Sequence, residues 1–227
     1  MHGFFNNQTR FYSDLDPLRN ENLPDDDEFY ILTATSSQLP ISFEDICVHL
    51  KLTIVGDKQL EDYYTMLTTA VTKFVEKYTW RDIQRKTWEY FPTCLPCILP
   101  IRKSPLISVD SIEVFSGGVF ETILATDFNL KQSNIFPCIV FKDDADIPDA
   151  DDDVPQPFKV TLKSGDIDTS SDILNDDLKI ALLQIIASLD QYRGDCIGPA
   201  STSCFCELSN VPPQALAVLN QYKIMEI

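Results

Sequence analysis

Cys94 and Cys97 in "CLPC", with Cys204 and Cys206 in "CFC", are the residues of this 227-residue chain whose type and spacing come nearest to chemistry. Four thiolates could close a structural zinc site, and C-x-x-C is also a redox spacing. Against zinc, C-x-C is tighter than the usual knuckle, and more than 100 residues separate the two pairs. Against redox work, Cys94 and Cys97 fall in a loop between strands, not at a helix N-terminus that would favour a thiolate. The seven cysteines, with Cys47, Cys138 and Cys196 completing the set, are odd in number. They read as reduced, small buried or loop residues, and not as a disulfide framework.

The second candidate is "DDADIPDADDD", which holds Asp143, Asp144, Asp146, Asp149, Asp151, Asp152 and Asp153. An EF-hand loop needs a glycine at its sixth position and a glutamate at its twelfth, and neither falls in register. The third is histidine, of which there are two. His2 lies in a polar arm, and His49 reads as a partly buried helix residue. No Gly-rich phosphate loop, dinucleotide fingerprint or nucleophile elbow occurs. The expectation is no enzyme, no cofactor and no metal centre.

The elements that would carry any site are clearer than the site. Ser42 reads as an N-cap with Asp45 as its reciprocal partner, and Ile41 and Ile46 flank it as a staple, starting a short helix to about Leu52. Asp57 caps "DKQLEDYYTMLTTAVTKFVEKYTW", whose apolar residues from Leu60 to Tyr78 keep helical spacing for five turns. From Thr87 the period falls to two. "TWEYF" is a strand, and "SVDSIEVFSGGVFETIL" is a hairpin turning at Ser116-Gly117-Gly118. "CIVFK" is a buried strand, and in "FKVTLKSG" Phe158, Val160 and Leu162 share one face. Between the last two lies the Asp-rich loop, expected not to pack. Helical spacing returns from Leu178 to Tyr192, capped by Asn175. A loop over 195–210 leads to "VPPQALAVLNQY", with proline at its first helical position.

The predicted fold is therefore α+β: a mainly helical bundle of about four helices (41–86 and 166–222) with a small antiparallel β lobe (87–165) inserted in it. An extended acidic arm, 1–40, is expected to order only against something else. An apolar tail of 223–227 closes the chain. The net charge of −17 is concentrated, with −5 in residues 1–40 and −10 in 143–177. So near-neutral a folded part does not suit a nucleic-acid grip, which requires clustered Lys and Arg. No apolar run is long enough to span a membrane, and no export signal is visible, so assembly in the cytoplasm is expected.

The order of these pieces resembles the head–tail connector (adaptor, or head-completion) proteins of tailed bacteriophages. The resemblance is carried by Ile41, Ser42, His49 and Leu50 in the first helix. Val75, Glu76, Tyr78 and Thr79 carry it at the end of the second, followed by Trp88. Leu99, Pro100, Pro105, Leu106, Ser108, Val109, Ser111 and Ile112 follow in "LPIRKSPLISVDSI", and Val211, Pro212, Pro213, Ala215, Leu216 and Leu219 close it. It covers 41–222, about four fifths of the chain. It implies a structural virion protein of the head–tail neck: a ring, usually of twelve, beneath the portal protein, extending the DNA channel and docking the next tail component. It also implies that Tyr222, Lys223, Ile224, Met225, Glu226 and Ile227 reach a partner. In such a ring the seven aspartates could face the lumen and keep DNA from adhering; an outward-facing loop fits as well. The basic pair Arg102–Lys103 could meet a neighbouring subunit's acids. The rival readings are another neck or tail ring, stopper or terminator, and a cysteine-based zinc-binding interaction module.

Overall fold

The computed structural model describes residues 29–52, 57–132, 137–151, 153–169, 172–191 and 211–224. In chain order the elements are β1 (Tyr30–Thr35), α1 (Phe43–Leu50), α2 (Lys58–Thr79), β2 (Lys86–Tyr90), β3 (Ile98–Pro100) and β4 (Leu106–Ser116). There follow β5 (Val119–Thr122), β6 (Phe128–Lys131), β7 (Cys138–Phe141), β8 (Phe158–Ser164), α3 (Asp176–Gln191) and α4 (Pro213–Tyr222). The fold is α+β, as the changes of period require.

α1 and α2 start where their caps dictate. The Asp45 N–H donates to Ser42 Oγ at 3.1 Å and the Ser42 N–H to Asp45 Oδ2 at 3.4 Å, a reciprocal capping box. Asp57 Oδ1 accepts from the N–H groups of Gln59 and Leu60. α1 and α2 end on Lys51 and Trp80, non-glycine residues in the left-handed region at φ 55° and 57°. On α2 the buried hydroxyls of Thr68, Thr72 and Thr79 donate to the carbonyls four residues back, so the apolar face accommodates them. That face, with Tyr64, Val71 and Val75, packs on Leu182 and Ile186 of α3 and Leu219 of α4. Each such fully buried aliphatic side chain contributes ~1.5–3 kcal/mol. Ile41 and Ile46 close the same core from the staple positions.

The β lobe is two sheets over one core. Five strands run in the order β1-β2-β8-β4-β5 and three in the order β3-β7-β6, all neighbours antiparallel. Val160, Leu162, Ile112, Val114, Ile139 and Leu99 fill the space between. The β4–β5 hairpin turns at Gly117 and Gly118, at φ 58° and 83°; two successive left-handed residues are what a two-residue primed turn needs, and what glycine supplies.

Three expectations change. Residues 30–35, assigned to an arm that orders only against something else, form β1, and the something else is β2 of the same chain, with Tyr30 opposite Tyr90 and its ring stacked on it at 4.3 Å. The rest of the arm, 1–28, lies outside the described residues. The Asp-rich loop does pack: Ile147 and Ala150 lie against the β core, because two apolar residues among the aspartates suffice to anchor it. His49 is exposed in the last turn of α1. The second sheet was not foreseen, since β3 and β6 are too short to show a period.

Candidate interaction surfaces

The chain leaves the bundle through 81–85 and returns through 165–168, and these segments run side by side. Gln84 bridges Ile167 in parallel, and the Arg85 N–H donates to the Ile167 carbonyl at 2.6 Å. Gly165 makes the contact possible. A Cβ there would stand 2.1 Å from the Gln84 carbonyl oxygen, and its φ of +95° is glycine territory.

A buried polar cluster fixes the same joint. Lys86 Nζ donates to Glu76 Oε2 at 2.7 Å and Asp82 Oδ1 at 2.8 Å. Glu76 Oε1 accepts the N–H groups of Ile83 and Gln84, and Asp82 Oδ2 accepts from Trp88 Nε1 and Ser164 Oγ. Burial pushes the Lys86 ammonium down, but Asp82 and Glu76 outweigh it and hold it above the ordinary lysine value. α2, the connecting segment, β2 and β8 are thus tied at one point. A strong acid–base pattern usually draws the eye to catalysis; here each group already has a structural partner, and the arrangement holds two lobes together. The sequence reading passed over this cluster, although Asp82 and Lys86 stand four apart beside Trp88, a tryptophan whose N–H needs an acceptor.

The aspartates do not converge on an ion. Asp143, Asp144, Asp146, Asp149 and Asp153 are exposed; Asp152 lies outside the described residues. Asp151 turns inward, and its carboxylate accepts the Gly117 and Gly118 N–H groups at 3.0 and 3.1 Å, seating the loop on the hairpin tip. An open groove of about 1040 Å³ separates this loop from "CLPC". Cys94 and Cys97 line it and are exposed; Cys196, Cys204 and Cys206 lie outside the described residues. Among the described residues no group of three or more His, Cys, Asp or Glu is placed to hold a metal ion.

The start of the tail lies on the bundle. Tyr222 is half-buried against the helical core, beneath the Arg81 guanidinium, and Lys223 Nζ stands 5.1 Å over the Tyr78 ring. The Ile224 N–H donates to the Thr79 carbonyl at 3.0 Å, satisfying one of the acceptors left open at the end of α2. Met225, Glu226 and Ile227 lie outside the described residues. Arg102 is exposed and Lys103 half-buried, its ammonium 4.3 Å over the Trp88 ring and 4.9 Å over that of Tyr30. Among the described residues no helix is long and apolar enough to cross a membrane.

No family model matches this sequence, and a search of curated proteins finds no match. Solved structures do match. A chain in the neck of an empty GTA particle computed with C6 symmetry is 16% identical, with a TM-score of 0.62 over 87% of this chain and 96% of that one. A chain in the virion of a native gene transfer agent (GTA) particle is 14% identical, with a TM-score of 0.64 over 87% and 96%. A third, in the neck of a native GTA particle computed with C12 symmetry, is 17% identical, with a TM-score of 0.59 over 87% and 97%. The fold of this chain, bundle and β lobe together, is therefore one that occurs in the neck and virion of a phage-like particle.

Proposed function

We propose that this chain is a structural virion protein: a head–tail adaptor that forms a ring, of twelve copies, under the portal protein, lengthens the DNA channel and offers a docking surface to the next tail component. The observation that carries this reading is the likeness over nearly the whole of both chains to neck structures with sixfold and twelvefold symmetry. It agrees with the resemblance that Trp88, the "LPIRKSPLISVDSI" stretch and the Pro212–Pro213 helix start give independently. The joint supports it physically, because a ring subunit must hold its lobes in one geometry while neighbours load both. The outer part of the tail, 225–227, is the segment we assign to the portal contact, and the exposed aspartates to the channel side, where repeated negative charge would keep DNA moving.

Native mass spectrometry of the purified chain, alone and mixed with the portal protein of the same genome, tests this. A ring-sized set of copies on the portal, free of metal, is expected. A monomer that carries stoichiometric zinc and ignores the portal would replace the adaptor with the cysteine-site reading.

A further inference from the structure

Among the described residues, the five-stranded sheet ends in two unpaired edges of the same character. β1 ("YILTAT") exposes Ile31 at 53% and Leu32 at 47%; β5 ("VFET") exposes Val119 at 59% and Phe120 at 45%. Neither strand carries the lysine or proline that usually blunts an edge. We infer that the β1 edge of one copy pairs in parallel with the β5 edge of the next, joining neighbours in the ring; this rests on the ring reading above.

Three observations converge on a second copy as the occupant. Four successive antiparallel pairings separate β1 from β5, so the two run in the same direction, and a rotation about a ring axis brings them together parallel. A contact between two different patches is the kind that generates rings. With Leu32 set opposite Phe120 of the neighbouring copy, the registers within one sheet fix the offset. Leu32 lies level with Trp88, Leu162 and Val109, whereas Phe120 lies level with Phe115, six residues further along β4. One of those six is the extra residue of the bulge between Val109 and Ser111, so the offset is five residues, about 17 Å along the strand against about 24 Å across five strand spacings, a tilt of about 35°, which lies within the range of closed sheets. Charge agrees with direction. Parallel pairing sets the Tyr30 end of β1, where Arg102 and Lys103 stand, beside the start of β5 at the hairpin tip that the Asp151 carboxylate caps, with the exposed Asp149 and Asp153 two residues to either side of Asp151 in sequence.

The test uses the full chain assembled with its portal protein. A photo-crosslinking p-benzoylphenylalanine in place of Ile31 is expected to label residues 117–122 of a second copy. Ile31→Lys and Val119→Lys are each expected to lower the assembled fraction at least tenfold while the free chain keeps its Tm. Labels on other elements, or Lys variants that assemble as the wild type does, would overturn the edge pairing and leave the ring intact. A wild-type chain that forms no multimer, alone or on the portal, would remove the ring reading and the pairing with it.

Discussion

The joint between the lobes and the outer strands of the sheet are opposites. At the joint, none of the buried polar side-chain atoms of Glu76, Asp82, Lys86, Trp88 or Ser164 lacks a partner, and Gly165 lets two backbones touch. At β1 and β5, apolar side chains face outward, and among the described residues one side of each ladder is unpaired. The joint's polar groups are spent on holding the two lobes together, and the outer strands present apolar surface. Substitutions at the joint should therefore act on stability, and substitutions at the edges on assembly.

The largest effect is expected from Lys86→Met, which strands two buried carboxylates and should cost roughly 3–5 kcal/mol, read from urea unfolding. The raised ammonium of the wild type gives the pair a defined pH behaviour. Its contribution is fully present below the ordinary lysine value and is lost only as pH rises through the higher folded value. Gly165→Ala should follow at roughly 3 kcal/mol, from a backbone clash at positive φ. An outcome below 1 kcal/mol for either would mean that the lobes are not tied here.

Asp151→Ala removes the carboxylate from the hairpin tip and should cost about 1 kcal/mol, with faster amide exchange at Gly117 and Gly118. Asp45→Asn loosens α1 from Lys179 of α3. Burial pushes the Asp45 carboxyl up, but Lys179 and Ser42 outweigh it and hold it below the ordinary carboxylate value. Its contribution is therefore present above that value and fades as pH falls through the folded one. The pair is partly exposed, so ~0.2–1 kcal/mol is expected at neutral pH, and wild type and variant should converge in acid unfolding. Smallest of all in stability are Ile31→Lys and Val119→Lys, within about 0.5 kcal/mol, though they should disrupt assembly. An edge substitution that unfolds the free chain would erase the contrast.

Local rules made much of the fold legible. Ser42 with Asp45, Asp57, the two glycines of the hairpin and Pro213 each mark a boundary by their own stereochemistry, and the structure puts elements where they point. β1 stayed hidden because Ile31 to Thr35 face outward with no alternation, and its pairing with β2 lies more than 50 residues away in sequence. The joint stayed hidden for the same reason: Ser164 meets Asp82 across 82 residues. Of the candidate sites, the composition of the Asp-rich loop was plain, but only tertiary contact distinguishes Asp151, which holds a turn, from Asp149, which faces solvent.

The decisive measurement is a cryo-electron reconstruction of the neck of the particle encoded with this chain. A closed ring of this chain against the portal is expected, each copy showing bundle and β lobe joined at Lys86 and its β1 strand beside β5 of a neighbour. A neck whose rings are built of other chains, with this one absent, would contradict it.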